Sequence, residues 1–135
     1  MHKALPWIAR AALLFAVLDF GYIGINAILN PASMAANSTL AAAEAAGLTN
    51  IRVGFGAFHL AVSIVALFCL ATARVGIGLA VVCTFTATAV CVRALGLMID
   101  GSHPRTLLLI QLESLGLLIF VVGFCAHWRS QLRRP

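Results

Sequence analysis

The sequence has few charged residues, and acidic residues are rarer than basic ones. Only 10% of its 135 residues are charged, and Asp and Glu together number four. Soluble globular domains carry about 25% charged and about 45–50% apolar residues, so a chain that is 62% apolar, with a mean hydropathy of +1.04, falls outside that class. It is also too apolar to remain disordered. The composition therefore predicts a membrane protein, and the length predicts one domain.

Familiar catalytic and cofactor-binding motifs are missing as well. The sequence has no Cys-x-x-Cys, no His-Glu-x-x-His, no Walker glycine loop and no dinucleotide fingerprint. Its four cysteines lie within apolar stretches, where cysteine packs as a small apolar side chain. We therefore predict no cofactor, with haem or metal binding at the intramembrane His59 as a minor alternative.

Four stretches are long and apolar enough to cross a bilayer, which takes about 20 residues. They span roughly residues 5–30, 51–73, 75–99 and 106–128. Because a backbone in lipid must satisfy its hydrogen bonds internally, these stretches predict an all-α bundle of four transmembrane helices. The alanine-rich residues 41–46, followed by Gly47, predict a short interfacial helix between the first two spans.

The N-terminal region partly resembles a cleavable signal peptide. Lys3 supplies a positive charge before the first apolar run, and Ala43-Glu44-Ala45 resembles a cleavage site. Against cleavage, the apolar run is too long and contains Asp19. We therefore expect the first span to be a transmembrane helix.

The net charge of +5 is distributed unevenly across the predicted topology. Arg105 and Arg52 lie on one side of a four-span arrangement, and the other side holds Lys3, Arg10, Arg74, Arg129, Arg133 and Arg134. The positive-inside rule therefore predicts that both termini are cytoplasmic. Contact with lipid headgroups explains the basic charge, so no nucleic-acid partner is predicted.

Polar side chains inside the spans are the most informative feature, because ionisable groups in a bilayer usually face a cavity or a partner helix. In the first span Asp19, Tyr22 and Asn26 follow i, i+3, i+7 spacing, which predicts one shared helical face. In the second span Arg52 and His59 are seven residues apart, again on one face. The third and fourth spans add the remaining candidates, which are Arg93, Asp100, Gln111 and Glu113.

Most of these candidates fall at a similar depth. At 1.5 Å per residue, His59, Arg93 and Glu113 lie roughly 9–12 Å below the outer surface, and Asp19 lies about 16 Å below it. Gln111 lies about 200° around the helix from Glu113 and does not share its face. The sequence therefore predicts a polar pocket in the outer half of the bundle, open outward or sideways to lipid, above an apolar floor.

The same residues also fit a purely structural role. An Arg93–Glu113 ion pair, with Asp19 hydrogen-bonded to Tyr22 or Asn26, would hold the helices together. An empty pocket sealed by that ion pair would favour this alternative. Gly54 and Gly56 similarly fit either close helix packing or room for a ligand.

The start of the second span resembles a known family. Arg52-Val53-Gly54-Phe55-Gly56-Ala57 resembles the Arg-x-x-Tyr-Gly-Gly motif of a bacterial, broadly DoxX-like family of small four-helix membrane proteins of unknown function. Phe55 and Ala57 depart from the motif, and the resemblance covers about residues 50 to 120. It implies a four-helix bundle and a role for Arg52, Arg93, Asp100 and Glu113, without naming a reaction.

We therefore predict an integral protein of the bacterial inner membrane that binds a small lipophilic molecule in the polar pocket. The accompanying hypothesis is acid–base catalysis of isomerase, epoxide-opening or cyclase type. Glu113 or Asp19 would be the acid, His59 a further catalytic group, and Arg52 or Arg93 would stabilise negative charge. The predicted substrate-binding residues are Arg52, Tyr22, Asn26, Asp100 and Gln111.

Two other functions compete with this hypothesis. The protein would be a non-catalytic accessory or scaffold subunit if the polar cluster only holds the helices together. An ion pathway is disfavoured, because no file of polar residues continues to the cytoplasmic side. The predicted partners are the bilayer and a lipophilic ligand, and homo-oligomer formation stays open.

Overall fold

The computed structural model describes residues 4–41 and 44–132, and within those residues the chain forms helices without any strand. The helices are α1 (Leu5–Leu29), α2 (Pro31–Asn37), α3 (Ala45–Ile51), a π-helical segment (Arg52–Ala57), α4 (Phe58–Ala71), α5 (Val75–Ile99) and α6 (Pro104–Leu132). The segments from α3 to α4 follow one another without a break. The prediction of an all-α fold is therefore confirmed.

Within the residues that the structure describes, four helical units are long and apolar enough to cross a membrane. They are Leu5–Leu29, Ala45–Ala71, Val75–Ile99 and Pro104–Leu132. Many of their large apolar side chains are exposed on the outer surface of the bundle, for example Leu18, Ile64, Val92 and Leu118. An exposed apolar surface of this extent is unfavourable in water. Both observations indicate an integral membrane protein whose outer surface contacts lipid.

Proline and glycine mark the ends of the spans. α1 ends at Leu29, and Pro31 then begins α2, where its missing N–H group has no helical partner to lose. Gly101, with a φ of 87°, turns the chain after α5, and Pro104 begins α6. These breaks agree with those that the sequence predicts.

The connection between the first two spans differs from its prediction. The short helix lies at Pro31–Asn37 rather than at residues 41–46, of which residues 42 and 43 lie outside the described residues. Gly47 does not end a helix, because α3 begins at Ala45 and continues into the second span. Glycine costs a helix about 1 kcal/mol relative to alanine, and here the long apolar span that follows outweighs that cost.

The spans pack as a bundle in which α1 contacts each of the other three. We call the end with the starts of α1 and α5 the terminal end, and the end that carries α2 and α3 the loop end. The core is small and apolar, and it includes Ala9, Leu13, Ala16, Val62, Ala66, Cys69, Val75, Leu79, Val82 and Phe120.

Close contacts at glycine hold α1 against two of its neighbours. Towards the terminal end, a Cβ atom on Gly123 of α6 would lie only 2.5 Å from Cβ of Ala12. Towards the loop end, a Cβ atom on Gly24 would lie 2.7 Å from the backbone nitrogen of Leu60, and one on Gly56 would lie 2.6 Å from Cγ1 of Ile28. Helix α1 is thus held against α6 at one end and against the second span at the other, and this leaves a gap between α1 and α6 near the loop end.

Candidate functional site

The gap between α1 and α6 holds a cavity of about 340 Å³. Asp19 of α1, His59 of α4 and Glu113 of α6 all line it. Much of the remaining wall is aromatic, from Phe15, Phe20, Phe85 and Phe120. The structure therefore brings together three of the four residues that the sequence predicts as catalytic.

The mouth of the cavity opens sideways. Among its lining residues, Phe15 of α1 is 41% exposed, and Leu112 and Leu115 of α6 are 56% and 57% exposed. In contrast, Phe20 and Phe120 are almost completely buried. The opening thus lies between apolar side chains on the lipid-facing surface, and the buried aromatic rings form the inner wall.

Arg93 and Glu113 form a bidentate ion pair between α5 and α6. Nε of Arg93 donates to Oε2 of Glu113 at 2.7 Å, and a terminal guanidinium nitrogen donates to Oε1 at 2.5 Å. Both side chains are about one-quarter exposed. Glu113 therefore faces the cavity with its charge already compensated, whereas Arg93 is not among the lining residues.

Asp19 has neither an ion-pair nor a hydrogen-bond partner within the described residues. The predicted hydrogen bonds to Tyr22 and Asn26 are absent there: Tyr22 is 72% exposed, and Oδ1 of Asn26 accepts instead from Asn30 at 3.0 Å. Neither Tyr22 nor Asn26 lines the cavity, although both lie within about 60° of Asp19 around the helix.

His59 presents one ring nitrogen to the cavity. Its Nδ1 atom lies 2.7 Å from the carbonyl oxygen of Phe55. A carbonyl only accepts hydrogen bonds, so Nδ1 carries the hydrogen, and in the neutral ring Nε2 is left as an acceptor. The rings of Phe20, Phe55 and Phe85 surround the imidazole, with centroids 5.6–6.2 Å from its own.

Thr86 is a cavity residue that the sequence interpretation missed. It is 6% exposed, it lines the cavity, and its hydroxyl oxygen is the one buried side-chain polar atom without a hydrogen-bond partner in the described part of the chain. A buried hydroxyl without a partner is costly. The signal that would have found it is its position seven residues before Arg93, on the same face of α5.

Arg52, Asp100 and Gln111 lie away from the cavity, and none of the three lines it. Arg52 is exposed, and its Nε donates to the carbonyl oxygen of Ile28 at 3.2 Å, near the end of α1. The predicted shared face for Arg52 and His59 assumes a regular α-helix. The π-helical segment Arg52–Ala57 lies between them, and its wider turn changes the angle that separates them. Asp100 and Gln111 are both exposed.

The two glycines of the π-helical segment differ in their surroundings. Gly56 packs against Ile28, which supports the close-packing interpretation. A Cβ atom on Gly54 would meet nothing within 4 Å. Neither glycine lines the cavity, so the alternative in which they leave room for a ligand is not supported for this cavity.

A second, shallower depression runs along the outer face of α5. It encloses about 740 Å³ and is lined by α5 alone, with Thr84, Phe85 and Thr88 among its residues. It holds no ionisable side chain, and a surface formed by one helix gives a ligand little enclosure. The cavity with Asp19 and His59 is therefore the candidate site.

Comparison with known proteins adds no relative. No family model, no curated protein and no solved structure matches the chain. The resemblance of residues 52–57 to the DoxX-like motif stays a prediction. Within the described residues, no group of three or more His, Cys, Asp or Glu side chains is placed to hold a metal ion.

Proposed function

We propose that this protein binds a small lipophilic molecule in the cavity between α1 and α6. The observation that carries the proposal is one enclosed space that holds Asp19 and His59 together with an unpartnered Thr86 hydroxyl. Polar groups in a membrane interior are retained where they have a partner or a function. A ligand with one polar group would give these three side chains the partner that the described chain does not supply.

The position of the mouth supports entry from the bilayer. A lipophilic molecule partitions into the hydrocarbon region, and the exposed side chains at the mouth, Phe15, Leu112 and Leu115, are apolar. The volume of about 340 Å³ lies at the lower end of the range for ligand pockets, about 300–1,000 Å³. The proposal therefore specifies a compact molecule, or the polar end of a longer one.

The test is binding of adamantanol, a compact apolar cage with one hydroxyl group, to the protein in phosphatidylcholine nanodiscs. Gly116 lines the cavity, and a Cβ atom there would lie 3.9 Å from Phe120, an ordinary contact distance. Gly116→Leu should therefore fill the cavity without breaking the bundle, and we expect titration calorimetry to show at least a tenfold loss of affinity.

Gly54→Leu is the matched control, because it makes the same substitution in open space outside the cavity. It should bind adamantanol as the unsubstituted protein does. Equal affinities of the two variants, or no binding to the unsubstituted protein, would contradict the proposal.

Acid–base chemistry is the reaction type that these groups support. Nε2 of His59 is an available base, and the Asp19 carboxyl group, which has no partner in the described chain, is placed to exchange a proton in the same cavity. We assign the role of proton donor to Asp19 rather than to Glu113, because both carboxylate oxygens of Glu113 accept hydrogen bonds from Arg93.

The proposed acid–base chemistry is testable with decalone, a lipophilic ketone, in deuterated buffer. The protein should accelerate deuterium exchange next to the carbonyl group, and His59→Gln should abolish the acceleration, because the glutamine amide forms hydrogen bonds but is not a base. Exchange no faster than in empty nanodiscs would contradict catalysis and leave the binding proposal standing.

The scaffold function is the second candidate, and the Arg93–Glu113 ion pair is the observation that favours it. This pair joins α5 to α6 beside the cavity, as the structural alternative requires. It does not involve Asp19 or Thr86, and the cavity keeps its lateral mouth. If Asp19→Asn and Thr86→Val leave all binding unchanged and the protein assembles with a partner only when the pair is intact, the scaffold function is the better description.

For the orientation, we propose that both termini face the cytoplasm of a bacterial inner membrane. Arg10 near the start of α1, Arg74 before α5 and Arg129 near the end of α6 all lie at the terminal end of the bundle. This asymmetry supports the cytoplasmic assignment by the positive-inside rule. Cysteine labelling at Gly101 and at Arg74 checks the orientation, because only the former should react with an impermeant reagent added outside.

A further inference from the structure

We infer that the preferred ligand of the cavity is a lipophilic primary amine in its ammonium form. This inference rests on the proposed ligand-binding function and specifies the chemical class of the ligand. It depends on the polar atoms that are free in the cavity and on the charges that surround them.

The first argument is the hydrogen-bonding character of the free atoms. The Asp19 carboxylate accepts, Nε2 of the neutral His59 ring accepts, and the Thr86 hydroxyl can accept. An ammonium group has three donors and no acceptor. It therefore matches the three groups, whereas an alcohol offers one donor and a carboxylate offers none.

The second argument is charge. The guanidinium of Arg93 compensates the charge of Glu113, and Asp19 has no cationic partner among the described residues. When Asp19 is ionised, the cavity wall carries one uncompensated negative charge. A cation in the cavity would compensate it, and a charge inside a bilayer is stabilised above all by such pairing.

The third argument is the aromatic wall. The faces of aromatic rings attract cations, and the effect is larger where water is excluded. Four phenylalanines line the cavity, and Phe20 packs with Phe85 and Phe120 at centroid distances of 5.4 and 6.1 Å. This wall accommodates an apolar ligand body and, at the same time, favours a positive head group.

The experiment compares three ligands that share one cage: adamantylamine, adamantanol and adamantanecarboxylate. Each is titrated into the protein in phosphatidylcholine nanodiscs, with empty nanodiscs as the reference. We expect the amine to bind at least tenfold more tightly than the alcohol and the carboxylate not to bind. Equal affinities for amine and alcohol, or tighter binding of the carboxylate, would overturn the inference.

Asp19→Asn tests the charge directly. It should lower the affinity for adamantylamine at least tenfold, and by a larger factor than the affinity for adamantanol, because only the amine loses an ion pair. Asp100→Asn is the matched control, because it removes the same charge from an exposed position outside the cavity. The inference fails if the two variants bind the amine equally well.

The outcomes separate this inference from the proposed function. If adamantanol binds and Gly116→Leu abolishes its binding, but the amine has no advantage, the cavity is a ligand site and the amine specificity is wrong. If the amine binds and Gly116→Leu retains it in full, the amine lies elsewhere, and the inference is wrong whatever adamantanol does. If none of the three ligands binds, both proposals fail.

Discussion

The two halves of the bundle are built from similar helices but pack in opposite ways. Near the terminal end, Ala12 of α1 meets Gly123 of α6 so closely that no further carbon fits between them. About 10 Å along α1, at Asp19, the same two helices have separated and enclose a cavity. Between α1 and α6, the terminal half makes close contact and the loop half keeps open a polar space in which Asp19 and Thr86 lack partners in the described chain. At the loop end, α1 packs closely against the second span instead.

This difference shows where a small membrane bundle gains stability and where it has room for function. Helices in lipid associate mainly through close packing of small residues rather than through the hydrophobic effect. The Ala12–Gly123 contact provides such packing. The cavity, in contrast, leaves both Asp19 and Thr86 without partners in the described chain, which is a cost that packing elsewhere must offset.

The largest expected effect comes from filling the close contact. Gly123→Leu should destabilise the fold by about 3 kcal/mol, because overpacking a tight core typically costs 1–3 kcal/mol and the nearest atom is Cβ of a helical residue. Gly116→Leu, seven residues earlier on the same helix, should not destabilise the fold, because a Cβ atom has space there and glycine costs a helix about 1 kcal/mol relative to alanine. Reversible unfolding in mixed detergent measures both, and equal losses would mean that the two halves do not differ in packing.

An intermediate effect is expected at the ion pair. Arg93→Gln leaves the Glu113 carboxylate without its partner and should cost about 2 kcal/mol, since hydrogen bonds to charged groups contribute about 1.5–3 kcal/mol. Adding Glu113→Gln should recover part of that loss, because the uncompensated charge is then gone. Unfolding of the two single variants and the double variant gives the coupling energy, and strictly additive losses would contradict a stabilising pair.

The smallest effect should have the opposite sign. Thr86→Val replaces a buried, unpartnered hydroxyl by a methyl group of similar size, and we expect a gain in stability of about 0.5–1 kcal/mol. Thr84→Val, at an exposed position on α5, should leave stability unchanged. A loss of stability in Thr86→Val would show that this hydroxyl already has a partner, and the contrast between the two halves would then weaken.

The residues of the candidate site are predictable from the sequence where two quantities determine their position: the angle of a side chain around its helix and its distance along the helix from the outer surface. Asp19, His59 and Glu113 are polar exceptions in apolar spans, and the structure places all three in the lining of one cavity. Arg52 was misplaced because a π-helical segment follows it, and no signal in the residues reveals the changed turn. For Thr86, the spacing of seven residues from Arg93 indicates a shared face of α5, but only the packing around it shows that its hydroxyl is buried without a partner.

The sequence by itself determined the class of this protein: four apolar stretches, separated by proline, glycine and short polar turns, have no stable form in lipid other than helices. It also determined which side chains are costly in a membrane. Only the tertiary structure decided which of them meet. The close contacts at Gly123, Gly24 and Gly56 fix α1 against α6 and against the second span. The packing leaves a space beside Asp19 and His59, and it leaves Tyr22 exposed. Contacts between residues far apart in the chain depend on this packing, which periodicity along one helix does not specify.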